Sequence, residues 1–409
     1  MQQITNPTTQ GITRIPKDKD MQTLITNARI MAPTMVYESG WLLYDGRKIV
    51  SLGADPAPTV EDATIIDASG LTLLPGFVDV HVHGAVGHEA MDNNPDALRG
   101  MAKFYAQHGV TSFLPTTWTE SREKTMGTLE LVSEMVGPQP EGATILGVHL
   151  EGPYLDAAKR GAQREDYVRR AGRDEALAFL DAGVIRLLAM APEYEENWWL
   201  IEECRKRGVT VSAAHSSATH DQMQHGIDLG ITQSTHTYNA MTGLHHREPG
   251  GLGAVMTRDE VACELIADNI HVHPTAMKIL YKNKGPEGII LISDAIRAAG
   301  MPDGEYRVDD DRMVVVKEGI VLLPSGSLAG STLTMERALR NFMAATGESL
   351  EMLWPCATLN GARSAGVAGE RGSLEKGKLA DLVLVDDDIN VQMTIAEGTI
   401  VYQNEGFGG

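Results

Sequence analysis

The chain has 409 residues, of which 43% are hydrophobic and 22% are charged, a composition typical of globular proteins rather than disordered or fibrous ones. The 35 Lys and Arg against 55 Asp and Glu residues give a formal net charge of −20, which argues against a general binder of nucleic acids or anionic membranes. An anionic substrate would therefore need a local cluster of positive groups.

The N-terminal segment, residues 1–20, is polar and has no apolar stretch of the kind found in secretory signals, so we expect it to be flexible. No part of the chain approaches the roughly 18 consecutive apolar residues of a membrane span. Three widely spaced cysteines without a Cys-x-x-Cys pair favour a reducing compartment. The sequence thus predicts a cytoplasmic protein with no membrane or nucleic-acid partner.

Short β-like runs separated by turns occupy residues 21–74, and a similar pattern returns over residues 366–409. Both segments carry β-branched residues between Gly, Asp and Pro. We expect the two ends of the chain to pair into one small β domain. A larger domain, residues 75–365, would then be inserted between them.

The larger segment alternates apolar runs with amphipathic stretches typical of helices. Its strand candidates number eight, at residues 76–84, 110–118, 143–153, 184–192, 209–215, 231–239, 262–272 and 288–296. Strands that alternate with helices over about 290 residues predict parallel βα units. Eight such units predict an α/β fold of the TIM type, a (β/α)8 barrel. A β-rich excursion from Tyr306 to Leu323 follows the eighth strand.

Polar residues lie at or just past the C-terminal ends of these predicted strands, where TIM barrels build their active sites. They are His81, His83, Glu151, His215, His236 and Asp294. Since residues i and i+2 of a strand point to the same side, His81 and His83 both project inward. The side chains are therefore expected to converge on one end of the barrel.

Imidazoles and carboxylates are ligands of divalent metals, and a metal with an open position makes hydroxide available at neutral pH. Asp294 is suited to accept the proton of the attacking water and to return it to a leaving group. A His-x-His pair alone is weak, because 13 His in 409 residues give about 0.4 such pairs by chance, and the chain has two. Asp294 taken singly would also suit a helix N-cap. The convergence of all the strand ends is what predicts a metal site.

Several motifs occur in an order that resembles a known family. They are PGFVDVHVHG (75–84), HLEGPYL (149–155), AAHSSA (213–218), THTYNAM (235–241), REPG (247–250), ADNIHV (267–272), SDAI (293–296) and SLAGSTLTM (327–335). The first resembles the opening barrel strand of the amidohydrolase superfamily, in which the barrel is inserted in a split β-sandwich. Within it, the chain resembles the N-acetylglucosamine-6-phosphate deacetylase family, from about residue 22 to residue 404.

This resemblance implies a metal-dependent deacetylase that converts N-acetyl-D-glucosamine 6-phosphate to D-glucosamine 6-phosphate and acetate. Glu151, His215 and His236 match the principal metal ligands. His81 and His83 match positions that hold a second metal in some members, so one or two ions are implied. Zinc is the favoured metal, with iron, cobalt, nickel or manganese as alternatives. Asp294 matches the acid/base aspartate.

The resemblance also implies a substrate site. Asn239 and Ala240 match residues that contact the sugar phosphate, and Arg247 matches a phosphate-binding arginine that reaches in from a neighbouring subunit, which implies a homodimer. A guanidinium group suits phosphate oxygens. The other implied substrate contacts are His271, near the substrate carbonyl or sugar, the loop residues Leu328, Ala329 and Gly330, and the pair Ala162 and Gln163.

One position departs from the family. Where members usually have a substrate-contacting histidine, this chain has Gln163, which can hydrogen-bond a sugar hydroxyl or a phosphate but brings no positive charge. Two alternatives therefore stay open, the deacetylation of N-acetylgalactosamine 6-phosphate and that of another N-acyl amino sugar. A non-catalytic scaffold is disfavoured because all six candidate ligand and acid/base residues are present. A cyclic amidase is disfavoured because Glu151 occupies the place where many such enzymes carry a carboxylated lysine.

Overall fold

The computed structural model describes residues 22–308 and 312–407. The segment 1–20, predicted to be flexible, lies outside the described residues. Within the described ranges, no helix combines the length and the apolar character needed to cross a bilayer.

Five strands form the N-terminal part of the chain: β1 (Gln22–Met31), β2 (Val36–Asp45), β3 (Lys48–Ala54), β4 (Thr64–Asp67) and β5 (Thr72–Pro75). β1 pairs antiparallel with β2, and β2 pairs antiparallel with β3. The first half of β1 runs parallel to β4, and the second half runs parallel to β5. The sheet therefore branches at β1.

The middle of the chain alternates strands and helices. The strands are β6 (Phe77–Val82), β7 (Gly84–Ala85), β8 (His88–Glu89), β9 (Val110–Pro115), β10 (Gly137–Gln139), β11 (Gly142–Ile145), β12 (Val148–Glu151), β13 (Ile185–Met190), β14 (Thr210–Ala213), β15 (Gln233–Ser234), β16 (Ala262–Ile266) and β17 (Ile289–Ile292). The helices are α1 (Pro95–Gln107), α2 (Arg122–Met135), α3 (Arg173–Asp181), α4 (Glu195–Lys206), α5 (His220–Leu229), α6 (Gly250–Thr257) and α7 (Pro274–Lys284).

Local signals place these helices. The Asn94 side chain caps the backbone N–H of Asp96 at the start of α1, and Pro95 occupies the first turn, where no backbone donor is needed. At the start of α5, Thr219 and Gln222 form a reciprocal capping box.

The last third of the chain adds a three-stranded antiparallel sheet, three helices and a C-terminal group of strands. They are β18 (Gly304–Arg307), β19 (Met313–Lys317), β20 (Ile320–Leu322), α8 (Met335–Thr346), α9 (Leu350–Ala357), α10 (Leu359–Ser364), β21 (Leu382–Val385), β22 (Val391–Ala396) and β23 (Thr399–Gln403). The three-stranded sheet coincides with the β-rich excursion expected from the sequence. β21 pairs with β5, so strands from both chain ends share one sheet, in the order β23-β22-β21-β5-β1-β2-β3.

Each of the eight strand candidates in the middle segment contains a strand, and the α/β class is confirmed. β6, β9 and β11 run parallel, as do β12 to β17 in chain order. Two isolated parallel bridges, Thr116 to His149 and Val82 to Ala295, join these two sheets. The third candidate is divided into β11 and β12, which a continuous apolar run did not predict. The predicted domain boundaries at residues 74/75 and 365/366 stay a prediction.

The parallel strands are buried on both faces, as expected for strands covered by helices. All residues of β6, β9, β12 and β17 are buried, and their side chains join the helices in one large apolar core. A second core lies among the terminal strands. The parallel strands thus form a rigid support whose carboxyl ends carry the candidate site.

Candidate metal centre and substrate cavity

The six predicted ligand and acid/base residues come from five strands or strand ends. His81 lies within β6, and Glu151 is the last residue of β12. The other four lie one or two residues beyond a strand: His83 after β6, His215 after β14, His236 after β15 and Asp294 after β17. Because the strands run parallel, their carboxyl ends bring all six side chains to one place.

Three of these residues adopt a left-handed backbone conformation immediately after their strands. The φ angles are 43° at His215, 31° at His236 and 50° at Asp294. Residues other than glycine rarely adopt positive φ, and such strain persists where the surrounding structure demands a particular side-chain direction. The strained turns aim these side chains toward Glu151 and the cavity above it.

Glu151 is the common neighbour of two groups of histidines. Its Oε1 lies 3.2 Å from Nε2 of His215 and 3.3 Å from Nε2 of His236. Its Oε2 lies 3.2 Å from Nε2 of His83, which in turn lies 3.3 Å from Nε2 of His81. In each group the candidate ligand atoms lie within 4.8 Å of one another.

Asp294 lies beside the His81–His83 group. Its Oδ1 is 3.5 Å from Nε2 of His81 and 3.4 Å from Nε2 of His83. It therefore faces the same space as the candidate ligands, and it also lines the cavity above them.

The hydrogen bonds of two rings show that this donor set fits a divalent metal. Nδ1 of His215 lies 2.8 Å from the carbonyl oxygen of Lys159, which only accepts, so Nδ1 carries a hydrogen and Nε2 is the ring atom that faces Glu151. His81 uses its Nδ1 toward the Glu264 carboxylate in the same way. An imidazole nitrogen and a carboxylate oxygen repel each other unless a proton or a metal ion lies between them, and several Nε2 atoms converge on Glu151. The residues therefore fit a metal held by imidazole and carboxylate ligands.

The carboxylates are held in the charged form. Burial raises the pKa of Glu151, but the charge of His81 and hydrogen bonds from His215 and His236 outweigh it, and the pKa lies well below its ordinary value. Burial likewise opposes ionisation of Asp294, but the charge of His81 and a hydrogen bond from His83 lower its pKa to about 2. Both carboxylates are ionised at neutral pH. A carboxylate must be in this form to bind a cation or to accept a proton.

Two contacts that the sequence did not reveal orient the His-x-His pair. Glu264, in β16, lies 2.9 Å from Nδ1 of His81, and both side chains are buried. His83 instead stacks on Trp118, with ring centroids 3.9 Å apart and an interplanar angle of 18°. Nδ1 of His83 has no hydrogen-bond partner among the described residues, so stacking holds its ring.

His81, His149 and Glu264 form a third cluster of candidate ligand atoms. His149 donates from Nδ1 to the backbone carbonyl of Val80 at 3.0 Å, and burial together with the His81 charge lowers its pKa to about 3. Nδ1 of His81 is already bonded to Glu264. We therefore interpret this cluster as a support for His81 and not as a separate metal site.

A cavity of about 650 Å³ opens over these groups, within the size range of small-molecule sites. The predicted site residues that line it are His83, Glu151, Ala162, Gln163, His215, His236, Asn239, Ala240, His271, Asp294, Leu328 and Gly330.

Three predicted site residues do not line the cavity. His81 and Ala329 are buried beneath its walls, and Arg247 lies on an exposed segment with its guanidinium 2.8 Å from Nε2 of His246.

His271 is held by Asp268, whose carboxylate receives the backbone N–H of His271 at 2.7 Å and lies 2.6 Å from its Nδ1. Burial lowers the pKa of His271, but the hydrogen bond and charge of Asp268 outweigh it and raise the pKa above its ordinary value. A protonated or hydrogen-bond-donating ring is therefore favoured at this cavity wall.

The cavity also contains basic side chains that no sequence prediction assigned: Lys159, Arg160 and Arg312. Arg312 bonds to the carbonyl of Ala162 and lies over the ring of Trp118. These positive groups supply part of the local cluster that an anionic substrate needs in a chain of net charge −20. A lone Arg in the β-rich excursion gives no sequence signal. Glu264 does carry one, because it is a carboxylate inside an otherwise apolar strand.

Comparison with known proteins covers nearly the whole chain. The sequence profile of the amidohydrolase family matches residues 72–401. An N-acetylglucosamine-6-phosphate deacetylase of Lysinibacillus sphaericus is 38% identical over 83% of this chain and 87% of its own length. An N-acetylgalactosamine-6-phosphate deacetylase of Escherichia coli O157:H7 is 37% identical over 91% of this chain and 98% of its own. The structure of a mutant N-acetyl-D-glucosamine-6-phosphate deacetylase from Mycobacterium smegmatis, in complex with N-acetyl-D-glucosamine-6-phosphate, matches with a TM-score of 0.87 at 31% identity and covers 94% of this chain and 100% of that chain.

Proposed function

Because this chain belongs to the amidohydrolase family of hydrolases, we propose that it hydrolyses the acetamide of N-acetyl-D-glucosamine 6-phosphate to D-glucosamine 6-phosphate and acetate. The observation that carries this proposal is the set of four imidazole Nε2 atoms around one shared carboxylate, Glu151, beneath a cavity that Asp294 also lines.

One or two divalent ions would be held here, the first by Glu151, His215 and His236 and the second by His81, His83 and Glu151. Zinc suits these nitrogen and oxygen ligands best, and iron, cobalt, nickel and manganese are alternatives. Such an ion would polarise the acetamide carbonyl and lower the pKa of water.

The chain's own residues supply the proton transfers. Asp294, ionised in the cavity, takes the proton of the attacking water and later gives it to the departing amine, which is a poor leaving group unless protonated. His271, oriented by Asp268, faces the same cavity and stabilises the oxygen of the carbonyl as negative charge develops on it. One carboxylate thus serves both proton-transfer steps.

Substrate recognition would combine the cavity wall with a second copy of the chain. Asn239 and Ala240 line the cavity and would contact the phosphate, while Leu328 and Gly330, which also line it, would form the loop over the sugar together with Ala329. Arg247, exposed and outside its own cavity, reaches the phosphate in the site of the partner subunit of a homodimer.

The proposed architecture is a (β/α)8 barrel, residues 75–365, with a small β-sandwich built from residues 21–74 and 366–409. It is supported by the parallel order of the strands, the two bridges that join their sheets and the shared sheet of the chain ends. We place the protein in the cytoplasm, where the three cysteines would stay reduced.

N-acetyl-D-galactosamine 6-phosphate is the alternative substrate. A relative named for that sugar, 37% identical over 91% of this chain, supports it, whereas several relatives of up to 38% identity are named for the gluco form. The two sugars differ in the orientation of one hydroxyl, so the choice depends on a few contacts at the cavity wall.

The test is to measure acetate release from both 6-phosphorylated N-acetylhexosamines, together with metal content, before and after exhaustive chelation. We expect turnover of at least one substrate, its loss on chelation and its return with added divalent metal. Full activity after the metal has been removed, or hydrolysis of neither sugar phosphate by metal-loaded protein, would refute the proposal.

A further inference from the structure

Gln163 lies between the loop that follows β9 and a candidate metal ligand. Its side chain is buried, its Oε1 accepts a hydrogen bond from the backbone N–H of Thr119 at 2.6 Å, and its Nε2 donates to Oε2 of Glu151 at 2.7 Å. A backbone N–H can only donate, so the amide oxygen must face Thr119 and the NH2 group must face the carboxylate. The amide orientation is therefore fixed from both sides.

The two oxygens of Glu151 have different neighbours. Oε1 faces His215 and His236, whereas Oε2 faces His83 at 3.2 Å and receives the Gln163 hydrogen bond. A carboxylate oxygen has two lone pairs and can accept two hydrogen bonds. The Gln163 N–H occupies one lone pair of Oε2, and the other is left for the side that faces His83. The same bond fixes the rotation of the carboxylate, which decides where both oxygens point.

The segment that carries Gln163 orients a second candidate ligand. The carbonyl of Lys159 accepts the hydrogen bond from Nδ1 of His215 at 2.8 Å, and the backbone N–H of Gln163 bonds to the carbonyl of Arg160 at 2.9 Å. Residues 159–163 thus contact metal ligands from two different strands. This segment is also a wall of the cavity.

We infer that Gln163 is a positioning residue that sets the metal affinity of the site through Glu151, and that the sugar contact predicted for it from the sequence is not its principal role. The inference rests on the proposed metal-dependent function and adds a residue to the machinery that holds the ion. Hydrogen-bond partners of metal ligands set the ligand orientation, and their removal typically lowers metal affinity about 10- to 100-fold.

The experiment is a titration of the metal-free protein with cobalt(II), without substrate, followed through the visible absorption of the bound ion. Gln163→Met keeps the length of the side chain and removes the donor, and Gln163→Glu puts an acceptor beside Glu151. Gln107→Met, at an exposed position at the end of α1, is the matched control. Thermal melting checks that each variant is folded, and KM is measured on cobalt-saturated enzyme.

We expect the cobalt Kd to rise about 10- to 100-fold in Gln163→Met, with an altered absorption spectrum in both Gln163 variants, an unchanged control and a KM within about twofold of wild type. Wild-type cobalt affinity in both Gln163 variants, or a raised KM with unchanged affinity, would overturn the inference and return Gln163 to sugar binding. Failure of the wild-type protein to bind cobalt would instead contradict the proposed function itself.

Discussion

Nδ1 of His81 and Oε2 of Glu264 lie 2.9 Å apart, although the two residues are separated by 183 positions in the chain and both are fully buried. Burial raises the pKa of Glu264, but the hydrogen bond from His81 outweighs it, and the pKa lies below its ordinary value. Gln233 also donates to this carboxylate. The ionised Glu264 is thus fixed, and it keeps a hydrogen on Nδ1 of His81, so that Nε2 is the atom that faces Glu151 and Asp294.

The first prediction concerns Glu264→Gln. An amide can donate to Nδ1 of His81 and allow the hydrogen to move to Nε2, where it blocks a metal. We expect affinity for the ion at His81 and His83 to fall about 10- to 100-fold, with bound metal dropping toward one ion per chain.

Metal analysis after dialysis against a fixed metal concentration measures this effect. Glu260→Gln provides the control, since Glu260 is exposed and pairs with Arg258 at 2.7 Å. A Glu264→Gln protein with the metal content and affinity of wild type would show that the His81–Glu264 pair is only structural.

The second prediction concerns Asp294→Asn. The amide keeps the size of the side chain but cannot take a proton from water, so we expect kcat to fall about 10²- to 10⁴-fold while substrate affinity stays within a few-fold. Acetate release and calorimetric binding of substrate separate the two quantities. Because Asp294 lies 3.4 Å from Nε2 of His83, metal content is measured on the same samples. Wild-type turnover at equal metal content would exclude Asp294 as the acid/base.

The residues whose positions follow from strand topology were predictable from the sequence, and those that depend on long-range contacts were not. Apolar runs identified the parallel strands, and the rule that parallel strands end together placed His215 and Asp294 at one site. The division of the third strand was missed, because its run reads as continuous. The two strands are separated by Leu146 and Gly147, and at Gly147 φ is 147° and a Cβ atom would lie 2.4 Å from the carbonyl oxygen of Val184.

The supporting contacts of the site lie beyond local patterns. Glu264 meets His81 across the parallel strands, and Trp118 meets His83 through ring stacking. Neither pairing has a fixed sequence spacing, so only the folded chain brings them into view. The same holds for Gln163, whose sequence suggested a sugar contact and whose amide bonds to Glu151.

The third prediction concerns Arg247→Ala. Loss of a charged hydrogen bond to phosphate costs about 1.5–3 kcal/mol, which corresponds to a KM roughly 10- to 100-fold higher for the phosphorylated substrate. The unphosphorylated N-acetyl sugar should be affected less than about twofold. Arg99→Ala, another exposed arginine, is the control.

Mixed dimers test whether Arg247 acts across subunits. A dimer of one Arg247→Ala chain and one Asp294→Asn chain has one complete site if the arginine is supplied by the partner, and none if it acts within its own chain. About half of the wild-type activity per dimer is expected. Activity no higher than that of the two parent variants would contradict the proposed homodimer arrangement.

The fourth prediction is a pH effect of Asp268→Asn. In the wild type, Asp268 raises the pKa of His271 above its ordinary value against the effect of burial, so the ring stays protonated to higher pH. Removing the negative charge lowers that pKa, and the alkaline limb of the kcat/KM profile should move to lower pH if the protonated ring assists the carbonyl. Profiles of wild type, Asp268→Asn and the exposed control Asp259→Asn give the comparison. An alkaline limb in the same place in all three proteins would mean that His271 does not assist the reaction in its protonated form.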